Sequence, residues 1–237
     1  MLKDKEQIKQ WLDSMKIENY TINEDLTVDV DSGVKLSDND LTNIPVQFGI
    51  VKGNFSCGTN KLTSLQGCPQ SVDGDFVCNN NLLTRLQDCP QSIRGHFNCG
   101  NNKLTSLEGG PQFVGGHFIC FSNKLTSLEN CPKSIGGHFN CGNNKLTSLQ
   151  DCPQSVVGNF DCNNNPIKNI DLNTFDTNFN GTFYHKGSMI EQFFDLYIEG
   201  ELKLTYKDIE NIKLNNKLND IIKDKTETIN TVNKHKL

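Results

Sequence analysis

Gly137-His138-Phe139-Asn140-Cys141-Gly142-Asn143-Asn144-Lys145-Leu146-Thr147-Ser148-Leu149-Gln150-Asp151-Cys152-Pro153-Gln154-Ser155-Val156-Val157 is the clearest copy of a 21-residue unit written five times between Gly53 and Val157. Sliding it back by one period aligns Phe55, Phe76, Phe97, Phe118 and Phe139 in one column, and Cys57, Cys78, Cys99, Cys120 and Cys141 in the next. A third column holds Asn60, Asn81, Asn102, Asn123 and Asn144. Two leucine columns follow, from Leu62 to Leu146 and from Leu65 to Leu149. A period of this length implies a solenoid, because one unit cannot bury its apolar residues alone and stacked units can.

The spacing also predicts the shape of each unit. Phe and Cys stand two apart, so on a strand they point to one side, the core side. Asn then marks a corner, where its amide can bond backbone groups that the turn leaves unpaired and repeat that bond from unit to unit. After the second leucine, Cys-Pro-x-Ser-Val contains a proline that can neither donate to a sheet nor sit inside a helix. The expected convex side is therefore extended or 3₁₀-like and non-helical.

The pattern Phe-x-Cys-x-x-Asn-x-Leu-Thr-Ser-Leu-x-x-Cys-Pro resembles leucine-rich repeats of the short bacterial type. It resembles still more the repeats of bacteriophage and bacterial proteins, over roughly residues 34–185. The resemblance implies a solenoid with a parallel β-sheet on its concave face. It implies no activity by itself, since such scaffolds host many partners. Secreted effector ubiquitin ligases carry a large catalytic domain beside similar repeats, and the chain after about residue 187 is too short for one.

Composition sets further bounds. With 237 residues, 35% hydrophobic, 22% charged and a net charge of −5, the chain has the make-up of a soluble protein. No run of about 18 apolar residues predicts a membrane span. The start, Met1-Leu2-Lys3-Asp4-Lys5-Glu6, lacks a signal peptide's apolar core, so a cytoplasmic location in a bacterium or phage-infected host is expected. All ten cysteines lie in repeat columns: six end at Cys162, and Cys68, Cys89, Cys131 and Cys152 precede proline. They read as small hydrophobes. No Cys-x-x-Cys pair points to zinc, and Gly110 replaces one of them, so neither metal nor cofactor is expected.

The chain divides into residues 1–33, an N-terminal helical cap and lead-in hairpin; 34–185, the solenoid; and 186–237, a C-terminal helical cap and polar tail. Ile8, Trp11, Leu12 and Met15 fall on one helical face, with Trp11 expected over the open first end. Leu26 to Val30 alternates like a strand. Val34 to Ile44 is a degenerate first unit, and Phe160 to Ile167 opens another before Cys-Pro is abandoned. Phe183 resumes the strand after a two-residue insertion. Ser188 to Glu191 has capping-box spacing, and Ile190, Phe193, Phe194, Tyr197 and Ile198 follow on one face.

Residues flanking Phe and Cys should face out. Before Phe come His96, His117 and His138, which should stack about 4.8 Å apart on neighbouring strands. They read as a polar ladder whose charge would change near pH 6 to 7; a metal or enzymatic role is the lesser alternative, since the outer pair is too far apart to share one ion. Ile119 and Phe121 stand where other copies mostly have Asn, Ser or Gly, with Val77 beside them. An aromatic next to an aliphatic residue on such a face is the composition of an interface anchor. Lys61, Lys103, Lys124 and Lys145 form a column, but Leu82 interrupts it and the chain is acidic, which argues against nucleic acid. The expected function is noncovalent, non-enzymatic binding of a protein partner through the concave face, with a structural assembly subunit as the alternative.

Overall fold

The computed structural model of the chain describes residues 1–167, 178–179 and 181–186. Among them two sheets run along a β-solenoid of about seven turns. One has eight parallel strands, from Val34–Lys35 through Phe55–Ser56, Phe76–Val77, Phe97–Asn98, Phe118–Ile119, Phe139–Asn140 and Phe160–Asp161 to Phe183–Tyr184. Each pairs in register with the copy before it, Phe118 facing Phe97 and Phe139. This is the sheet that the Phe-x-Cys spacing predicts, and Phe and Cys do point inward.

The Cys-Pro side departs from expectation. It is non-helical, and one tight turn is present, Cys89 N–H donating to Leu86 C=O at 3.0 Å. But Ser71–Val72, Ser92–Ile93, Phe113–Val114, Ser134–Ile135 and Ser155–Val156 then form a second parallel sheet. Val72, Ile93, Val114, Ile135 and Val156 are its buried residues. Two-residue strands starting two positions after proline carry almost no period-2 signal, so they read as extended chain. This sheet begins with an antiparallel hairpin of β1 (Tyr20–Ile22) and β2 (Thr27–Val30), and β2 pairs in parallel with Gln47–Val51.

Each turn needs two reversals, and at both the chain enters the left-handed region, mostly at Asn, Asp or Gly, which tolerate it best. One precedes the Asn column, at Thr59, Asn80, Asn101, Ser122, Asn143 and Asn164, with φ between 52° and 56°. The other precedes the Cys-Pro column, at Gly67, Asp88, Gly109, Asn130 and Asp151. At the first corner the Asn column does what its spacing implies. Asn123 Nδ2 donates to the carbonyls of Cys120 and of Cys99 one turn back, both at 3.1 Å, and its Oδ1 accepts from Leu104 N–H at 3.0 Å. Asn81, Asn144 and Asn165 repeat the set in burial.

Inside, the phenylalanines form a continuous spine from Phe48 to Phe183, with neighbouring ring centroids 5.0 to 6.1 Å apart. Offset and edge contacts at these distances favour aromatic stacking beyond area burial. All ten cysteines are buried. Burial pushes the thiols of Cys78, Cys99, Cys120 and Cys141 well up, so they behave as small hydrophobes. Helix α1 (Lys5–Ser14), started by an Asp4 side chain that accepts from Gln7 N–H, adds Ile8 and Leu12 to the same core. Trp11 approaches Phe48 at 6.4 Å between ring centroids. The C-terminal cap expected over 186–237 lies outside the described residues beyond Lys186. No helix among the described residues is long and apolar enough to cross a membrane.

Candidate functional site

The residue before each Phe projects from the eight-stranded sheet, and six of these residues form one chain of hydrogen bonds along the solenoid. Asn54 Oδ1 accepts from Asp75 N–H at 2.9 Å, and Asp75 Oδ1 from His96 N–H at 2.7 Å. His96 Nδ1 then accepts from His117 N–H and His117 Nδ1 from His138 N–H, both at 2.8 Å. His138 Nδ1 accepts from Asn159 N–H at 2.7 Å, and Asn159 Oδ1 from Thr182 N–H at 2.9 Å. The imidazoles stack as expected, with centroids 4.1 and 4.5 Å apart.

Two chemical consequences follow. An Nδ1 that accepts a hydrogen bond is unprotonated, so the neutral ring carries its hydrogen on Nε2. The exposed nitrogen is therefore a donor; metal ligation or proton abstraction there would require the other tautomer, which surrenders the backbone bond. Moreover, burial, followed by the neighbouring His96 and His138 rings, holds His117 below the usual histidine range. Among the described residues no three His, Cys, Asp or Glu side chains converge as a metal site.

The ladder also explains a glycine column. A Cβ on Gly116, Gly137 or Gly158 would land on Nδ1 of His96, His117 or His138, the residue one turn back. Gly74, Gly95 and Gly181 make the same room for Asn54, Asp75 and Asn159. Space for the acceptor and for the backbone of the preceding turn, not an unusual φ, requires glycine there.

Beside the ladder runs a second outward row, in which Ile119 pairs with Asn140, Asn140 with Asp161 and Asp161 with Tyr184. Between the rows lies a groove of about 240 Å³ lined by His117, Ile119, His138, Phe139, Asn140, Asn159, Asp161 and Tyr184. Here too side-chain acceptors are occupied locally: Asn140 Oδ1 takes Gly142 N–H at 3.0 Å and Asp161 Oδ1 takes Asn163 N–H at 2.9 Å. Half-burial raises the Asp161 carboxyl above its usual range, against that hydrogen bond.

The structure thus gathers His117, Ile119 and His138 into one groove, with His96 stacked on its end. Phe121 does not line it. Its ring lies over Gly100 of the preceding turn, whose missing Cβ makes the space, and it is partly buried. Val77 is separated from Ile119 by Asn98 in the same row. Sequence reasoning missed Tyr184, 42% exposed, because the insertion before Phe183 shifts it out of the 21-residue column. It also missed Phe113, 52% exposed on the second sheet, where most other turns have serine. That substitution was visible in the sequence once the column counted as a strand.

No protein-family model, curated protein or solved structure matches the chain.

Proposed function

We propose that this chain is a noncovalent recognition module that engages a protein partner across the outer face of its eight-stranded sheet. The observation that carries the reading is the placement of Ile119, partly exposed, in a groove between two outward rows whose backbone neighbours are already hydrogen-bonded. A surface held this rigidly loses little conformational freedom on binding, which favours affinity. Phe121, packed over Gly100, and Val77, two strands away, would add separate apolar contacts, and His96, His117 and His138 would supply polar ones.

The repeat pattern's likeness to short bacterial and bacteriophage leucine-rich repeats supports the same reading, with a cytoplasmic, host-directed role as its setting. The test is retention of a partner from lysate of the native host by the wild-type chain and by the variant Phe121→Ala with Ile119→Asn, both with native circular dichroism. The reading predicts a partner held by the first and lost by the second. Equal retention contradicts the anchor and directs attention to Phe113 on the second sheet. A chain that instead self-associates as its concentration rises, and retains nothing, favours an assembly subunit.

A further inference from the structure

The groove beside the histidine ladder has a hydrogen-bonding character fixed from within. His117 and His138 have Nδ1 committed to backbone N–H groups, and Asn140 and Asn159 have Oδ1 so committed. To a ligand these four side chains offer two imidazole Nε2–H and two amide Nδ2 groups as donors, with the second lone pair of each amide oxygen beside them. Asp161 alone adds a carboxylate oxygen beyond the one that Asn163 N–H occupies. Tyr184 adds a partly exposed ring and a hydroxyl, and Ile119 an apolar wall.

Each simple ligand class fails one of these demands. An anion meets the Asp161 carboxylate. A cation meets four N–H donors and a single carboxylate. A purely apolar ligand strips water from the donors and leaves them unpaired. An extended peptide adding to a sheet needs a free edge, and this groove lies on a face.

We propose that the groove binds a neutral glycan whose sugar rings lie across successive strands. Its hydroxyls accept from the His117, His138, Asn140 and Asn159 N–H groups, one hydroxyl donates to Asp161, and a C–H face of one ring packs on Tyr184 and Ile119. Successive strands stand about 4.8 Å apart, so a chain laid along the solenoid meets a new donor at every turn. This goes beyond the protein-partner reading and stands or falls separately from it.

The experiment is calorimetric titration of the full chain with the neutral hexasaccharides cellohexaose, maltohexaose and chitohexaose, and with a hexagalacturonate as the charged counterpart. The expected result is binding of at least one neutral hexasaccharide in preference to the uronate. Tyr184→Ala and Asp161→Asn should each weaken it about tenfold or more. Asp161→Asn keeps the acceptor for Asn163 N–H, so it tests the groove without disturbing the fold. No binding of any neutral hexasaccharide, undiminished binding by both variants, or tighter binding of the uronate would each overturn the glycan assignment. A chain that binds no sugar yet loses its protein partner through Phe121→Ala with Ile119→Asn would leave the recognition reading intact.

Discussion

Asn, Asp and His share one property that decides the outer face: each places an acceptor at the δ1 position, the same number of bonds from the backbone. Asn54, Asp75, His96, His117, His138 and Asn159 are therefore interchangeable in the ladder although their charges differ. The stacked rings were legible in the sequence, because a 21-residue period puts His96, His117 and His138 on adjacent strands. Their role was not, because the column was read as exposed side chains and not as acceptors for the next turn. The glycine before each was the missing clue. Protonation of a ladder imidazole occupies Nδ1 and removes an acceptor, and the His117 pKa lies below its ordinary value in the folded chain. The unfolded chain then binds the extra proton more readily, so stability rises with pH. This contribution is fully present above the ordinary histidine pKa of about 6.5 and is lost as pH falls through the lower folded value. Asp161, with its pKa raised, acts in the opposite sense and nearer the carboxylate range. We expect the wild-type melting temperature to fall between about pH 7 and 5. A variant with Asn at all three histidine positions keeps a δ1 acceptor and should show a flatter profile; an equally steep one would contradict the acceptor role.

At the scale of the element, a turn is made of parts with separate duties. Two left-handed corners reverse the chain, the Asn amide satisfies the carbonyls at one of them, and two short strands pair with the turns on either side. The Phe strand was legible because Phe and Cys, two apart, repeat without exception in the regular copies. The Ser-Val strand was not, because two residues after Cys-Pro cannot display an alternation; only pairing with neighbouring turns makes them a strand. The glycine between the two strands gives the sharpest test of this scale. Gly116→Ala places a methyl where His96 Nδ1 receives the His117 N–H and against the Gly95 carbonyl behind it, so the imidazole must swing away and the backbone of the two turns must shift apart. The expected result is a lower urea midpoint with an unchanged slope. Gly136→Ala, in the neighbouring column, would press on the Gly115 backbone alone and should leave the histidine bonds' pH dependence unaltered.

The whole molecule is quasi-one-dimensional: each turn touches its neighbours, and the Phe spine and the Asn and histidine ladders all run along one axis. Periodicity alone therefore made the solenoid and the inward columns readable. It could not show that the Cys-Pro side closes into a second sheet, or that Ile119, Asn140, Asp161 and Tyr184 line up beside the histidines. Those depend on how two strands of one turn are set against each other, and on an insertion that breaks the count before Tyr184. The central claim is that turns stack in a fixed 21-residue register with side-chain nitrogens closing the backbone of the next turn. Scalar couplings across N–H···N hydrogen bonds test it most directly by nuclear magnetic resonance. The predicted result is three couplings, from His96 Nδ1 to the His117 amide, His117 Nδ1 to the His138 amide and His138 Nδ1 to the Asn159 amide, with every Nε2 protonated. Nδ1-protonated rings, or couplings to amides at any other separation, would contradict the register and the donor face built on it.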